Sequence, residues 1–242
     1  MDSPTPLVWL ITGTSSGFGS CLVASVLARG DRVIATARSV GSISHLEENP
    51  NVRVRQLDVT AGAAAIAAIV DEAVGVWGRL DVVVNNAGMG YPGLLEEGGS
   101  GLLRTQFEVN FFGIMDVCAA CLPHMRARKS GTIVIVGSRS AWKPEIPGLG
   151  VYATSKAAVH ALSEALTVEV APHGVRVLLV EPGAFRTKIA ATPFFQQNDI
   201  ADYDEMRRVG VARFGSLTGT EPGDPAKAME VVVDVVRGGE LG

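Results

Sequence analysis

Six short apolar runs, separated by stretches of helical periodicity, constrain this chain more than any other feature. They lie at residues 7–11, 32–37, 52–57, 81–85, 132–136 and 175–180. Most are continuous and rich in Val and Ile, the pattern of strands buried on both faces of a parallel sheet. Helical patterns fill the gaps at residues 18–29, 61–77, 101–128 and 152–170, and another follows near 226–237. The first helix is expected to end at Gly30, and Pro123 to kink the third or limit its last turns. Strand and helix alternating at this spacing predict a doubly wound parallel sheet in three α/β/α layers. No linker, repeat or low-complexity stretch interrupts it, so residues 1–242 read as one domain. Ligands of such sheets bind beyond the carboxyl ends of the strands.

The first strand runs into Thr12-Gly13-Thr14-Ser15-Ser16-Gly17-Phe18-Gly19. Glycines at a strand-to-helix turn let the backbone approach a pyrophosphate, which the free N–H groups of the helix then bind. A dinucleotide is the predicted ligand; a tight turn with no ligand is the bland alternative. An acidic residue closing the second strand would favour NAD. This chain has Arg38 there, a fork suited to a phosphate, so NADP(H) is favoured over NAD(H). Asp58 and Val59 close the third strand, and Asn85, Asn86, Ala87 and Gly88 the fourth, where they suit contact with adenine and ribose. Asp58 is also a good cap for the next helix.

Tyr152 and Lys156 stand four residues apart, one above the other on a helix face. A nearby ammonium favours the phenolate, so the spacing predicts a lowered Tyr152 pKa and a group able to exchange protons with a carbonyl/alcohol pair. Ser138 ends the fifth strand and suits donation to a substrate oxygen, with Ser140 as its rival. Asn110 sits inside a helical pattern that Asn disfavours; a bound water, a local distortion of the helix or a satisfied buried amide would each explain it.

The remaining composition mostly excludes. A net charge of -4 without a basic stripe argues against nucleic acid. No apolar stretch is long enough for a membrane span, and the N-terminus lacks the pattern of a secretory signal. Three cysteines predict no disulfide framework and a reducing, cytoplasmic setting. Cys118 and Cys121 read as helix packing, and His45, His124, His160 and His173 share no ligand spacing, so no metal is expected.

These motifs together resemble the short-chain dehydrogenase/reductase family, and most closely its hydroxysteroid-dehydrogenase-like and carbonyl-reductase-like members. The resemblance runs through Thr12-Gly13-x-x-x-Gly17-x-Gly19, Asp58-Val59, Asn85-Asn86-Ala87-Gly88, Asn110, Ser138, Tyr152-x-x-x-Lys156 and Pro182-Gly183-x-x-x-Thr187. It implies a Rossmann-type domain, a catalytic group of Asn110, Ser138, Tyr152 and Lys156, and an asparagine-held water in a proton relay. It also implies a lysine on the nicotinamide ribose and Thr187 near the carboxamide, with Pro182, Gly183 and Phe185 closing over the ring. Arg38 matches the position that meets the 2′-phosphate. A homodimer or homotetramer is expected, packed through the helices that contain Asn110 and Tyr152. Three departures stand out: Phe18 between the last two glycines, a serine-to-tyrosine spacing about one residue long, and an end at Gly242 where many members continue into a further strand.

Residues 185–223 are the expected substrate lid, with Phe194, Phe195, Tyr203, Met206 and Phe214. Aromatics and Met there suit a lipophilic or aromatic substrate; ordinary helix packing explains them as well. Trp142, Pro144 and Met89 are assigned to the opposite wall. The leading expectation is an NADP(H)-dependent oxidoreductase acting on a carbonyl and its secondary alcohol. A non-redox enzyme of the same fold (epimerase, lyase or dehalogenase) and a cofactor-sensing binding protein are the alternatives.

Overall fold

The computed structural model describes residues 5–217 and 219–238. The first four residues, Thr218 of the lid and the chain end at Gly242 lie outside the described residues. Six parallel strands form one sheet in the order β3-β2-β1-β4-β5-β6. They are β1 (Val8–Ile11), β2 (Arg32–Ala37), β3 (Val52–Gln56), β4 (Val82–Asn85), β5 (Gly131–Val136) and β6 (Val175–Val180). The four central strands are almost wholly buried because both faces are covered. On one face Trp9, Ile11 and Val33 meet Leu22 and Val26 of α1 (Gly17–Ala28) and Val233 of α7 (Pro225–Val236). On the other, Leu10, Val83 and Ile133 meet α2 (Ala63–Trp77), α4 (Gly113–Arg128) and α5 (Gly150–Val170).

The third predicted helix is two helices. α3 (Leu95–Phe107) opens with a short extra turn that breaks at Gly99 (φ 53°, ψ -161°), beyond which it runs where expected, and a π-helical turn over Glu108–Phe112 joins it to α4. The wide turn contains Asn110, so the distortion foreseen at that residue is present. Helix α4 runs through Pro123 to Arg128. Cys118 and Cys121 are fully buried in its core-facing side, and burial pushes the Cys118 thiol up to about 12. Asp58 does not cap α2, whose N-cap is Gly62; it closes a turn onto Thr60 instead, accepting from its N–H at 2.9 Å and its hydroxyl at 2.8 Å.

A buried carboxylate joins the first and last elements of the sheet's flank. Asp31 accepts from the Leu7 N–H (2.9 Å), the Trp9 indole (3.0 Å) and the Arg237 guanidinium (2.7 Å). The segment expected as a lid contains α6 (Asp204–Leu217), and its Phe185, Thr187, Ile189 and Phe214 line a cavity at the strand ends.

Candidate active site

The strand order reverses between β1 and β4, and the crevice this opens is a cavity of about 880 Å³. Its lining runs from Arg38 and Asp58 past the glycine turn to Ser138, Tyr152 and Lys156. At the turn, Gly13 has φ 70° and Gly17 has φ 57°, which L side chains rarely adopt. A Cβ on Gly13 would also come within 2.9 Å of the Ala87 Cα. Ser16 is the N-cap of α1 yet makes no side-chain cap bond, so the first N–H groups of the helix are left for a ligand. Ser15, Ser16, Gly17 and Phe18 line the cavity, and Phe18 packs edge-on against Phe185 at 5.3 Å.

Several residues named from sequence act behind the lining. Thr14 is buried and ties the turn to β2 through the Thr36 carbonyl, at 2.9 Å from its N–H and 3.1 Å from its hydroxyl. Gly19 packs against the Gly13 carbonyl, with no room for a Cβ. Asn86 lines the cavity, and its amide also donates to the Thr12 carbonyl (2.8 Å) and the Gly13 carbonyl (3.0 Å), so it braces the turn. Asn110, wholly buried, grips Met89 by both backbone groups: Oδ1 accepts its N–H and Nδ2 donates to its carbonyl, each at 2.9 Å. Sequence reasoning missed Gln106, which holds the same loop from the Met89 carbonyl (2.7 Å) to the Tyr91 N–H (2.9 Å).

Lys156 is buried, its Nζ donates to the Val136 carbonyl at 2.6 Å and lies 5.8 Å from the centre of the Tyr152 ring, and burial lowers its pKa to about 8. Burial raises the Tyr152 pKa above its ordinary value, and hydrogen bonding from Ser138 only partly offsets this. The lowering expected from the Lys156 charge is not what sets the direction in the protein alone: burial raises the phenol, and the offset comes from Ser138. Ser138 Oγ accepts the Ser140 N–H at 3.1 Å, and both serines line the cavity. Asp58 is held below the usual carboxylate range by the Thr60 N–H, with the Arg38 charge adding to it. Arg38 is exposed, and among the described residues its guanidinium has no hydrogen-bond or ion-pair partner. Asp58, Val59, Ala87, Gly88, Pro182, Gly183, Phe185 and Thr187 all line the cavity. Met89 lines it as well, but Trp142 and Pro144 do not: Trp142 turns outward. No group of three metal-ligating side chains occurs among the described residues, and no helix there is long and apolar enough to cross a membrane.

A doubly wound sheet with a glycine turn, a Tyr–Lys pair and a serine around one crevice fits a nucleotide-binding oxidoreductase class. The chain belongs to the short-chain dehydrogenase/reductase family: the model of that family, described as short chain dehydrogenase, matches residues 7–198. It is 38% identical over 182 residues to a 3-ketodihydrosphingosine reductase of Bacteroides thetaiotaomicron, which covers 75% of this chain and 65% of that protein. A short-chain dehydrogenase from Streptomyces avermitilis superposes with a TM-score of 0.82 at 38% identity, covering 95% of this chain and 83% of that one. A serine dehydrogenase solved with NADP+ superposes at 0.78 with 27% identity, covering 94% and 88%. Other solved structures of this fold contain NAD.

Proposed function

We propose that this enzyme is an NADP(H)-dependent oxidoreductase that interconverts a carbonyl and a secondary alcohol, with Tyr152 as general acid and base. The observation that carries the reading is the shared cavity: Tyr152, Ser138 and Lys156 line the same space as the glycine turn and Arg38. The residues fit a dinucleotide. Uncapped N–H groups of α1 suit its phosphates, and the free Arg38 fork suits a further phosphate. The bound nicotinamide supplies or takes up the hydride and, when oxidised, brings a positive charge.

The chain's own residues then handle the proton. Tyr152 gives its hydroxyl proton to the substrate oxygen during reduction and recovers one during oxidation. Ser138 uses its acceptor lone pair on the Ser140 N–H, which leaves its O–H to steady charge on the same oxygen. Lys156, held by Val136, keeps a cation near the phenol and suits contact with the nicotinamide ribose. Asn110 positions the Met89 loop and is proposed to hold the relay water at the widened turn beside it.

The substrate end favours a lipophilic or aromatic molecule, since Met89, Pro92, Ile146, Leu149, Ile189 and Phe214 line it. Exposed Phe112, Met115 and Val168 on the flank made by the π-helical turn, α4 and α5 support a homodimer or homotetramer. Three unbridged cysteines suit a cytoplasmic setting. The test is absorbance at the reduced-nicotinamide band with NADPH and NADH across ketones, aldehydes and quinones. Consumption with NADPH preferred is expected; no consumption of either would overturn the reading.

A further inference from the structure

The lid is fastened at both ends. At its neck, Gly223 donates to the Ala184 carbonyl (3.0 Å) and Arg186 to the Gly223 carbonyl (3.1 Å). The Arg186 guanidinium adds bonds to the carbonyls of Glu221 (2.9 Å) and Pro222 (3.0 Å). The far end is held by an ion pair with α3. Arg207 Nε lies 3.1 Å from each oxygen of Glu97, and Nη2 lies 2.5 Å from Oε1. The Ile200 N–H donates to Glu97 at 3.0 Å while its carbonyl accepts from Arg207 at 3.0 Å. Tyr203 adds a bond to Glu96 at 2.8 Å. The Glu97 side chain has 0% of its surface exposed and that of Arg207 9%. A charge pair with so little exposed surface is tolerated when its hydrogen bonds are satisfied, as they are here.

Between these fastenings lies a wall of the substrate end. Arg207 and Phe214 are seven residues apart on α6 and so share a face. Phe214 meets Phe194 at 5.9 Å, and Phe194 packs so closely on Gly210 that a Cβ there would come within 2.8 Å. Phe195 donates from its N–H to the Pro92 carbonyl at 2.8 Å. Phe214 and Pro92 both line the cavity.

We propose that Glu97 and Arg207 are positioning residues for substrate selection: their ion pair sets α6 against the opening turn of α3 and thereby sets the Phe214–Pro92 wall, backed by Phe194, that a bulky apolar substrate meets. The wall is preformed, so binding of a fitting substrate need not order it. The substrate part of this proposal rests on the oxidoreductase reading above; the mechanical part does not.

Glu97→Gln is the gentlest probe, because it keeps shape and an acceptor, and Arg207 retains Asp204 at 2.8 Å and Asp199 at 3.6 Å. Amide hydrogen exchange over residues 198–214 should rise while the central strands keep wild-type protection. KM for a bulky apolar ketone should rise about tenfold or more with kcat little changed, while KM for a small ketone and NADPH affinity stay within about twofold. Arg207→Lys, which keeps charge but loses the fork, should fall between wild type and Glu97→Gln, and serves as the probe if the latter does not fold. Unchanged exchange over 198–214, or equal KM effects on small and bulky ketones, would overturn the proposal. If wild type turns over no carbonyl, the oxidoreductase reading fails, and the exchange experiment still decides whether the pair holds the lid.

Discussion

The indole Nε1 of Trp142 donates to Oε2 of Glu181 across 2.9 Å, and the same ring stands edge-on to His160 with centres 4.4 Å apart. Trp142 follows Ser138 on its loop, Glu181 directly precedes Pro182 and Gly183, and His160 lies one turn beyond Lys156 on α5. Three elements that shape the active site are tied at this point. Trp142→Phe keeps the ring contact and removes the hydrogen bond. A fall of roughly three- to tenfold in kcat is expected, equivalent to about 1 kcal/mol, with NADPH affinity retained. Steady-state kinetics beside a cofactor titration checks it; a loss confined to cofactor affinity would contradict it.

Tyr152→Phe removes the proton donor without opening a cavity. Turnover should drop by roughly 10²–10⁴ with NADPH binding intact. Ser138→Ala should lower turnover far more than Ser140→Ala, since Ser138 is the serine whose side chain hydrogen-bonds Tyr152. Single-turnover measurements on the three variants decide this, and a larger effect at Ser140 would reverse the assignment.

Lys156 carries a pH signature. Its folded pKa of about 8 lies below the ordinary 10.5, so the protonated side chain weakens the fold. That penalty is fully present below pH 8 and fades as pH rises toward 10.5, because the unfolded chain still binds the proton there. Lys156→Met abolishes the effect along with catalysis. From pH 7 to the upper end of that window, the stability difference between variant and wild type should shift by roughly 3 kcal/mol in favour of wild type. Denaturant titrations at both ends of the window measure it; a constant difference would rule out a depressed lysine.

Arg38→Asp places a carboxylate where the cavity meets the end of β2. NADPH affinity should fall at least about tenfold while NADH affinity holds or improves. Competitive binding of the two dinucleotides reads the change, and an unaltered preference would return Arg38 to the status of a solvated side chain.

Val168 on α5 is 75% exposed, on the flank that also presents Phe112 and Met115. Val168→Glu should leave the fold intact and lower the solution mass to that of a monomer, as read by light scattering. An unchanged oligomer would remove this patch from the interface.

The strands were legible because buried parallel strands are written as uninterrupted Val and Ile runs, such as residues 82–84 and 133–136. The short turn that opens α3 was not, since Gly98, Gly99 and Gly101 weaken the helical pattern and the backbone breaks at Gly99, between buried Glu97 and Leu102. Asn110 signalled the π-helical turn by being a poor helix residue in an apolar stretch. Spacing alone put an ammonium near the Tyr152 phenol and could not weigh the desolvation that opposes it. The outward turn of Trp142 and the bracing roles of Thr14 and Asn86 depend on neighbours remote in sequence. The Glu97–Arg207 pair spans 110 residues and has no local pattern at all.

The carboxylate of Asp31 has a mechanical consequence. It receives β1 through Leu7 and Trp9, and the end of α7 through Arg237. The opening strand and the closing helix therefore share one lock. Neither can peel from the sheet without giving up bonds at the same two oxygens, so fraying at one end of the fold is felt at once by the other.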